Sequence, residues 1–275
     1  MSRTRPASRV VPRLRWRAGA AEPGRRRIPE ETAVAIVYQG STYAVMMATP
    51  DDLEDFAVGF TLTEGVVATP AALESLDVVE GEHGIELRMW LADADAARLA
   101  ERRRWIAGPT GCGLCGIESL EEAMRPPRAV PASGLLSAAS VAAAMATLEA
   151  AQPVNRVTHA AHAAGFWTPA GGLVAVREDV GRHNALDKLA GAMARAGIAA
   201  ADGLLLLTSR VSVELIQKAA AMATPVLVAV SVPTALAVRA AEAAGITLVA
   251  VARADGFEVF THPERIALEA PGHVA

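Results

Sequence analysis

The sequence predicts an α/β protein, with a larger three-layer α/β domain over residues 106–275, a smaller α+β domain over 29–105 and a basic tail over 1–28. Three observations carry this prediction. Apolar runs alternate with helical patterns from residue 172 to residue 251, as expected of strands joined by helical crossovers. Residues 32–104 instead read as a hairpin, a helix, two strands and a helix, which suits a small α+β unit. A chain of 275 residues exceeds one typical domain, and a hydrophobic content of 52% is enough for a sizeable core.

Residues 1–27 hold nine arginines against one acid, Glu22, and have so little to bury that a disordered, solvated tail is expected. Thr32–Tyr38 and Thr42–Met47 flank Gln39-Gly40-Ser41 and should pair as a hairpin. Thr49-Pro50-Asp51-Asp52 offers an N-cap, a proline at the first helical position and acids in the first turn. It opens a helix through Asp52–Gly65 with Leu53, Phe56 and Phe60 as its apolar stripe. Leu73–Val79 and Ile85–Trp90 read as strands, and Asp93–Arg104 as a helix ending in three arginines.

After the Pro-rich connector Arg125-Pro126-Pro127-Arg128, Ser137–Ala150 is an alanine-rich helix capped by Ser137. The series then runs strand Gly172–Val176, helix Asn184–Ala196, strand Gly203–Leu207 and helix Ser212–Met222. Strand Val226–Ser231, helix Thr234–Ala244 and strand Thr247–Val251 complete it, with Gly197, Pro225 and Pro233 at boundaries.

The net charge of -4 conceals an asymmetry, because outside the arginine-rich head 17 bases face 29 acids. No apolar h-region follows the arginines and no run is long enough to span a membrane. A cytoplasmic protein with no membrane or nucleic-acid partner is therefore expected. Two cysteines this close cannot usefully staple a fold; they fit a reducing compartment, where such a pair is catalytic or metal-binding.

Those cysteines lie in Thr110-Gly111-Cys112-Gly113-Leu114-Cys115-Gly116, a loop whose glycines let the backbone approach a ligand. Cys112 and Cys115 are open to several readings. Half of a zinc site is one, with only His159, His162 and His183 to complete it. A thioredoxin-like dithiol is another, although its first cysteine belongs at a helix N-terminus directly after a strand. In a third, one thiolate carries sulfane sulfur as a persulfide on a loop that moves between donor and acceptor, and the glycines favour this. Burial as two small apolar side chains is the fourth, but neither flank is periodic or apolar.

Polar groups gather where the predicted strands end, which is where open α/β sheets bind ligands. Arg177-Glu178-Asp179-Val180-Gly181-Arg182-His183-Asn184 is the densest cluster. As a helix cap alone it would leave Asp187 and Lys188 on a solvated face; five titratable side chains around one glycine exceed what a cap requires. Thr208-Ser209-Arg210-Val211-Ser212 also follows a strand, and Ser212 capping explains it as well as phosphate binding does. A third such loop is Val251-Ala252-Arg253-Ala254-Asp255-Gly256. Arg182, Arg210 and Arg253 together suit a polyanion such as a nucleotide, in the absence of a Walker-type or GxGxxG loop. His159 and His162 lack the i, i+4 spacing of a helical zinc site, and no His-x-Glu motif accompanies the cysteines as zinc-deaminase chemistry requires. No structural metal is expected.

Gly59–Gly65 (GFTLTEG), Gly111–Gly116, Glu178–Leu189 (EDVGRHNALDKL), Ser212–Ala220 (SVELIQKAA) and Pro225–Thr234 (PVLVAVSVPT) occur in that order. Together they make most of residues 30–266 resemble the formate dehydrogenase accessory sulfurtransferases, the FdhD/NarQ family. The basic tail falls outside the resemblance. What the resemblance implies is a sulfur relay. A cysteine desulfurase passes sulfane sulfur to Cys112 as a persulfide, with Cys115 its partner in transfer. The acceptor is the molybdenum of a bis(molybdopterin guanine dinucleotide) cofactor, bound as substrate before insertion into formate dehydrogenase or a related molybdoenzyme. The resemblance further implies that Val251, Ala252, Arg253, Ala254, Asp255 and Gly256 bind that cofactor, its phosphates accounting for Arg182, His183 and Arg210. It also implies a homodimer and a cytidine-deaminase-like larger domain without the zinc. The alternative from another class is a non-catalytic chaperone that binds and delivers the cofactor. Three segments depart from the family pattern: Thr158-His159-Ala160 replaces Thr-Gly-Gly, Thr208-Ser209-Arg210 replaces Ser-Gly-Arg, and Gly256 replaces an arginine.

Overall fold

The structure, a computed structural model, describes residues 5–103, 126–132 and 134–268; Cys112 and Cys115 lie outside the described residues. Strands β1 (Ser8–Arg17) and β2 (Ala20–Pro29) pair antiparallel along their whole length, closed by Ala18 and Gly19 at positive φ. The described part of the expected disordered tail is thus an ordered ribbon. Its composition hid this, because a strand requires only period-two alternation and a paired backbone, and Arg13, Arg15 and Arg17 alternate here with Pro12, Leu14 and Trp16.

Strands β3 (Thr32–Tyr38), β4 (Ser41–Ala48), β5 (Leu73–Glu80) and β6 (Ile85–Leu91) form a sheet in the order β4-β3-β6-β5. The β3–β4 hairpin turns on Gln39 and Gly40, both at positive φ, the conformation that matches strand twist in a two-residue loop. Helix α1 (Leu53–Thr63) packs Phe56 and Phe60 against Val34, Ile36, Leu87 and Met89 on one face of this sheet. Helix α2 (Asp93–Arg103) follows β6. The start of α1 differs from expectation: Thr49 and Pro50 do not open the helix, which begins after Asp52, at φ 51 and without a side-chain cap. Thr49 is committed elsewhere, its hydroxyl accepting from the Val180 amide at 3.1 Å.

The remainder comprises β7 (Leu136–Ser137), α3 (Ala138–Ala150), α4 (Pro153–Thr158), β8 (His162–Thr168), β9 (Gly172–Asp179) and α5 (Arg182–Arg195). Then follow β10 (Leu204–Leu207), α6 (Val213–Ala221), β11 (Val226–Ala229), α7 (Ala235–Ala244), β12 (Thr247–Arg253), β13 (Gly256–Val259) and β14 (Ile266–Ala267). Six strands make one sheet in the order β13-β12-β11-β10-β8-β9. Leu205 and Leu207 of β10 join a core with Leu189, Leu215 and Ala241 from α5, α6 and α7. Leu204 and Leu206 join a second with Val141, Ala144 and Leu148 of α3, so helices cover both sheet faces. Ser137 caps α3 as expected, its hydroxyl accepting from the Ser140 amide at 3.1 Å. Sequence reasoning missed β8, because His162-Ala163-Ala164-Gly165 has little β-propensity and is strand only by pairing with β9 and β10.

The two sheets are joined backbone to backbone. A Cβ on Gly59 of α1 would lie 1.7 Å from the Asp187 carbonyl oxygen, and one on Gly191 of α5 would lie 1.9 Å from that of Asp55. No described helix is long and apolar enough to cross a membrane.

Candidate functional site

Strands β10, β11 and β12 run parallel, and β8 runs antiparallel to both β10 and β9. The carboxyl ends of β9, β10, β11 and β12 and the amino end of β8 therefore share one edge of the sheet. The loops singled out from sequence, which begin at Asp179, Thr208 and Val251, all emerge there. Helices α5, α6 and α7 start at this same edge, so three positive dipole ends face one region; α5 and α6 have no side-chain cap, whereas Thr234 caps α7 by accepting from the Ala237 amide at 3.1 Å. Such an edge favours anions. From β9 to β12 is four strand spacings, about 19 Å, which suits an extended polyanion better than a single phosphate.

Asp179, fully buried at the end of β9, organises the first loop. Its Oδ1 accepts from the Gly181 amide at 2.7 Å and Asn184 Nδ2 at 3.0 Å; its Oδ2 accepts from the Thr49 amide at 3.0 Å. Lys188 Nζ lies 2.7 Å from Asp179 Oδ2 and donates to the Thr49 carbonyl at 2.9 Å. Asn184 Nδ2 also donates to the Met47 carbonyl at 2.8 Å. The run from Glu178 to Lys188 thus ties the site loop to the smaller sheet. Asp187 and Lys188, which the capping reading puts on a solvated face, are instead buried, because their partners arrive from distant segments. Glu178 accepts from the Val154 and Asn155 amides at 2.8 and 2.7 Å and so caps α4.

With the loop fixed, Arg182 and His183 occupy the first turn of α5. Arg182 Nε is buried and has no hydrogen-bond acceptor among the described residues, which leaves a donor for an anion. His183 Nε2 lies 3.7 Å from Glu214 Oε2 in the first turn of α6, beyond hydrogen-bonding length, so this is a contact between charges when the ring is protonated. The neighbouring His183 pulls the Glu214 carboxyl down to about 2, against the effect of burial. His162, at the start of β8, has its imidazole pKa lowered by burial and then by Arg182. Sequence reasoning named His183 and Arg182 but missed Glu214, whose only signal was an acid two residues after the predicted cap Ser212. Ser212 occupies the N-cap position without accepting a cap bond through its side chain.

The other expected residues are placed as follows. Arg210 is exposed beside buried Ser209, and Thr208 Oγ1 accepts from the Ala163 amide at 2.8 Å. Val251 is a β-branched residue at φ 52, where the β12 register shifts, and its amide donates to the Ser231 carbonyl at 3.4 Å. Ala252 is buried in the α3-side core, so its side chain is packing. Arg253, Ala254, Asp255 and Gly256 are exposed at the β12–β13 turn. His159 is exposed in a left-handed conformation that ends α4. Among the described residues no group of three or more His, Cys, Asp or Glu is arranged to hold a metal ion.

The model of the FdhD/NarQ family matches residues 29–267. A sulfur carrier protein FdhD from Agrobacterium fabrum is 52% identical over 94% of this chain and 96% of its own. The sulfur carrier proteins FdhD from Brucella abortus and Cupriavidus necator are 53% and 47% identical over 94% and 93% of this chain, covering 97% and 89% of their own. A crystal structure described as a formate dehydrogenase accessory protein from Desulfotalea psychrophila matches with a TM-score of 0.73 and 24% identity. The match spans 95% of this chain and 100% of that one, a likeness of fold. With identity near half along nearly its whole length, the chain belongs to the FdhD/NarQ family.

Proposed function

We propose that this protein is a sulfur carrier that serves formate dehydrogenase maturation. It takes sulfane sulfur from a cysteine desulfurase on Cys112 and transfers it to molybdenum of a bis(molybdopterin guanine dinucleotide) cofactor held as substrate. The observation that carries this reading is the 52% identity, over 94% of the chain, to a relative named as a sulfur carrier. Loading follows from thiolate chemistry: Cys112 attacks the outer sulfur of the donor persulfide, a Cys112–sulfur bond forms, the donor S–S bond breaks, and the donor leaves as a thiolate. Release as sulfide takes two electrons. Cys115 supplies them by attacking Cys112 Sγ, which closes a disulfide and expels the outer sulfur; a cellular thiol reductant then restores both cysteines.

Three helix N-termini, Arg182 with its free Nε, Arg210 and Arg253 support the same edge as the cofactor site. Its breadth suits a dinucleotide, with the Val251–Gly256 segment at one end. The sheet covered by helices on both faces supports a cytidine-deaminase-like larger domain, and the reading includes a homodimer in the cytoplasm. Formate dehydrogenase matured with the Cys112→Ala variant is expected to be inactive, while that variant still binds a guanine dinucleotide cofactor as wild type does. A Cys112→Ala protein that fails to bind the cofactor would instead support a chaperone whose thiols grip the metal.

A further inference from the structure

The β1–β2 ribbon has an apolar tip. Its pairing puts Leu14 and Trp16 with their partners Pro23 and Ala21 on one face, which toward the root carries Val10 and Pro12 beside their partners Arg27 and Arg25, and puts Arg9, Arg13, Arg15 and Arg17 on the other face. Leu14 and Trp16 are each 71% exposed. A two-stranded ribbon alone is marginal in water, and an apolar tip this open requires a cover. Pro12 and Pro23 lack an amide hydrogen, so the ribbon is poorly suited to add edge-on to another sheet and is left to pack by its face.

A second uncovered surface lies on the same chain. The face of the β4-β3-β6-β5 sheet opposite α1 exposes Val45, Met47 and Trp90, at 47%, 50% and 49%. The charges of the two surfaces are opposite. The ribbon, residues 8–29, carries seven arginines and one acid, while residues 73–91 carry five acids and one base, Arg88, which is paired to Glu86 at 2.7 Å. The ribbon's root already borders this sheet: Arg5 Nη2 donates to the Gly81 carbonyl at 3.0 Å, and a cleft of about 470 Å³ runs between Arg5, Arg9, Ala33, Met47 and His83. With arm and acceptor side by side on each molecule, a twofold axis lays each arm over the other's sheet and closes the assembly.

We infer that the ribbon is an arm whose apolar tip packs on the open sheet face of a second copy of this chain, with Arg25 and Arg27, which share that face, meeting that copy's acidic β5–β6 border. The inference rests on the homodimer of the proposed function and not on the sulfur chemistry. Sedimentation velocity of the full chain should give twice the 28.5 kDa chain mass for wild type. It should give the single mass both for Leu14→Glu/Trp16→Glu and for Val45→Glu/Met47→Glu, each with wild-type circular dichroism. Photo-crosslinking from benzoylphenylalanine in place of Trp16, in a mixture of isotopically light and heavy protein, should join a light to a heavy chain at β4 or β6. A wild-type monomer would overturn both the dimer and the arm. A wild-type dimer that either variant pair leaves intact, or crosslinks confined to one copy, would overturn the arm alone.

Discussion

Alanine in place of Gly59 is expected to destabilise the protein by about 3 kcal/mol, the upper end of ordinary overpacking. Helix propensity alone predicts the opposite sign, since alanine is favoured over glycine in a helix interior by about 1 kcal/mol. The contact decides. A Cβ at residue 59 would lie 1.7 Å from the Asp187 carbonyl oxygen and 2.6 Å from the Gly191 amide nitrogen, backbone atoms that no rotamer change can move. Helices α1 and α5 would have to separate, taking with them the Asp55 carboxylate, which accepts from Arg177 Nη2 and Arg195 Nη1, each at 2.6 Å. Denaturant titration of Gly59→Ala and Gly191→Ala checks this; a gain in stability in either would show that the helices do not cross there.

Replacing Lys218 by methionine should cost about 3–5 kcal/mol, the penalty for stranding a buried charge. Lys218 Nζ lies 2.6 Å from Glu64 Oε1, 2.9 Å from Asp187 Oδ1 and 3.1 Å from Thr63 Oγ1, joining α6, α5 and the end of α1. Burial alone would lower the ammonium pKa, but the Asp187 and Glu64 carboxylates outweigh it and raise it above its usual value. With a raised folded-state pKa, this contribution is fully present below 10.5, the ordinary lysine value, and is lost as pH rises through the folded value. Methionine would leave Asp187 buried with no cation. The double substitution Asp187→Leu/Lys218→Met should recover much of the loss, because it removes both charges together. Urea midpoints for the two variants test this, and a Lys218→Met protein within about 1 kcal/mol of wild type would mean the network is not formed.

The regular parts of this fold were legible where local pattern and burial agree. Leu204–Leu207 and Val226–Ala229 are short apolar runs bounded by Gly203 and Pro225, and they are the buried central strands. Elements whose cause is non-local were not legible. Strand β8 depends on its neighbours, and the ribbon depends on the pairing of two arginine-rich halves whose composition alone reads as solvated. At the site, the convergence of the loops after β9, β10 and β12 follows from strand order and was anticipated only in outline. The roles of Asp179, Asp187 and Lys188 were hidden because their partners Thr49, Thr63 and Lys218 lie far away in sequence or on another element, so charged residues that look solvated are locks between the sheets. Cys112 and Cys115 stand on sequence alone.

Whether Cys112 carries sulfur can be read from the intact mass of the protein. After incubation with a cysteine desulfurase and cysteine, wild type should gain the mass of one sulfur atom, which a thiol reductant removes, and Cys112→Ala should gain none. Absence of added sulfur on wild type, with the desulfurase shown to be active, or equal gain by Cys112→Ala, would contradict Cys112 as the carrier.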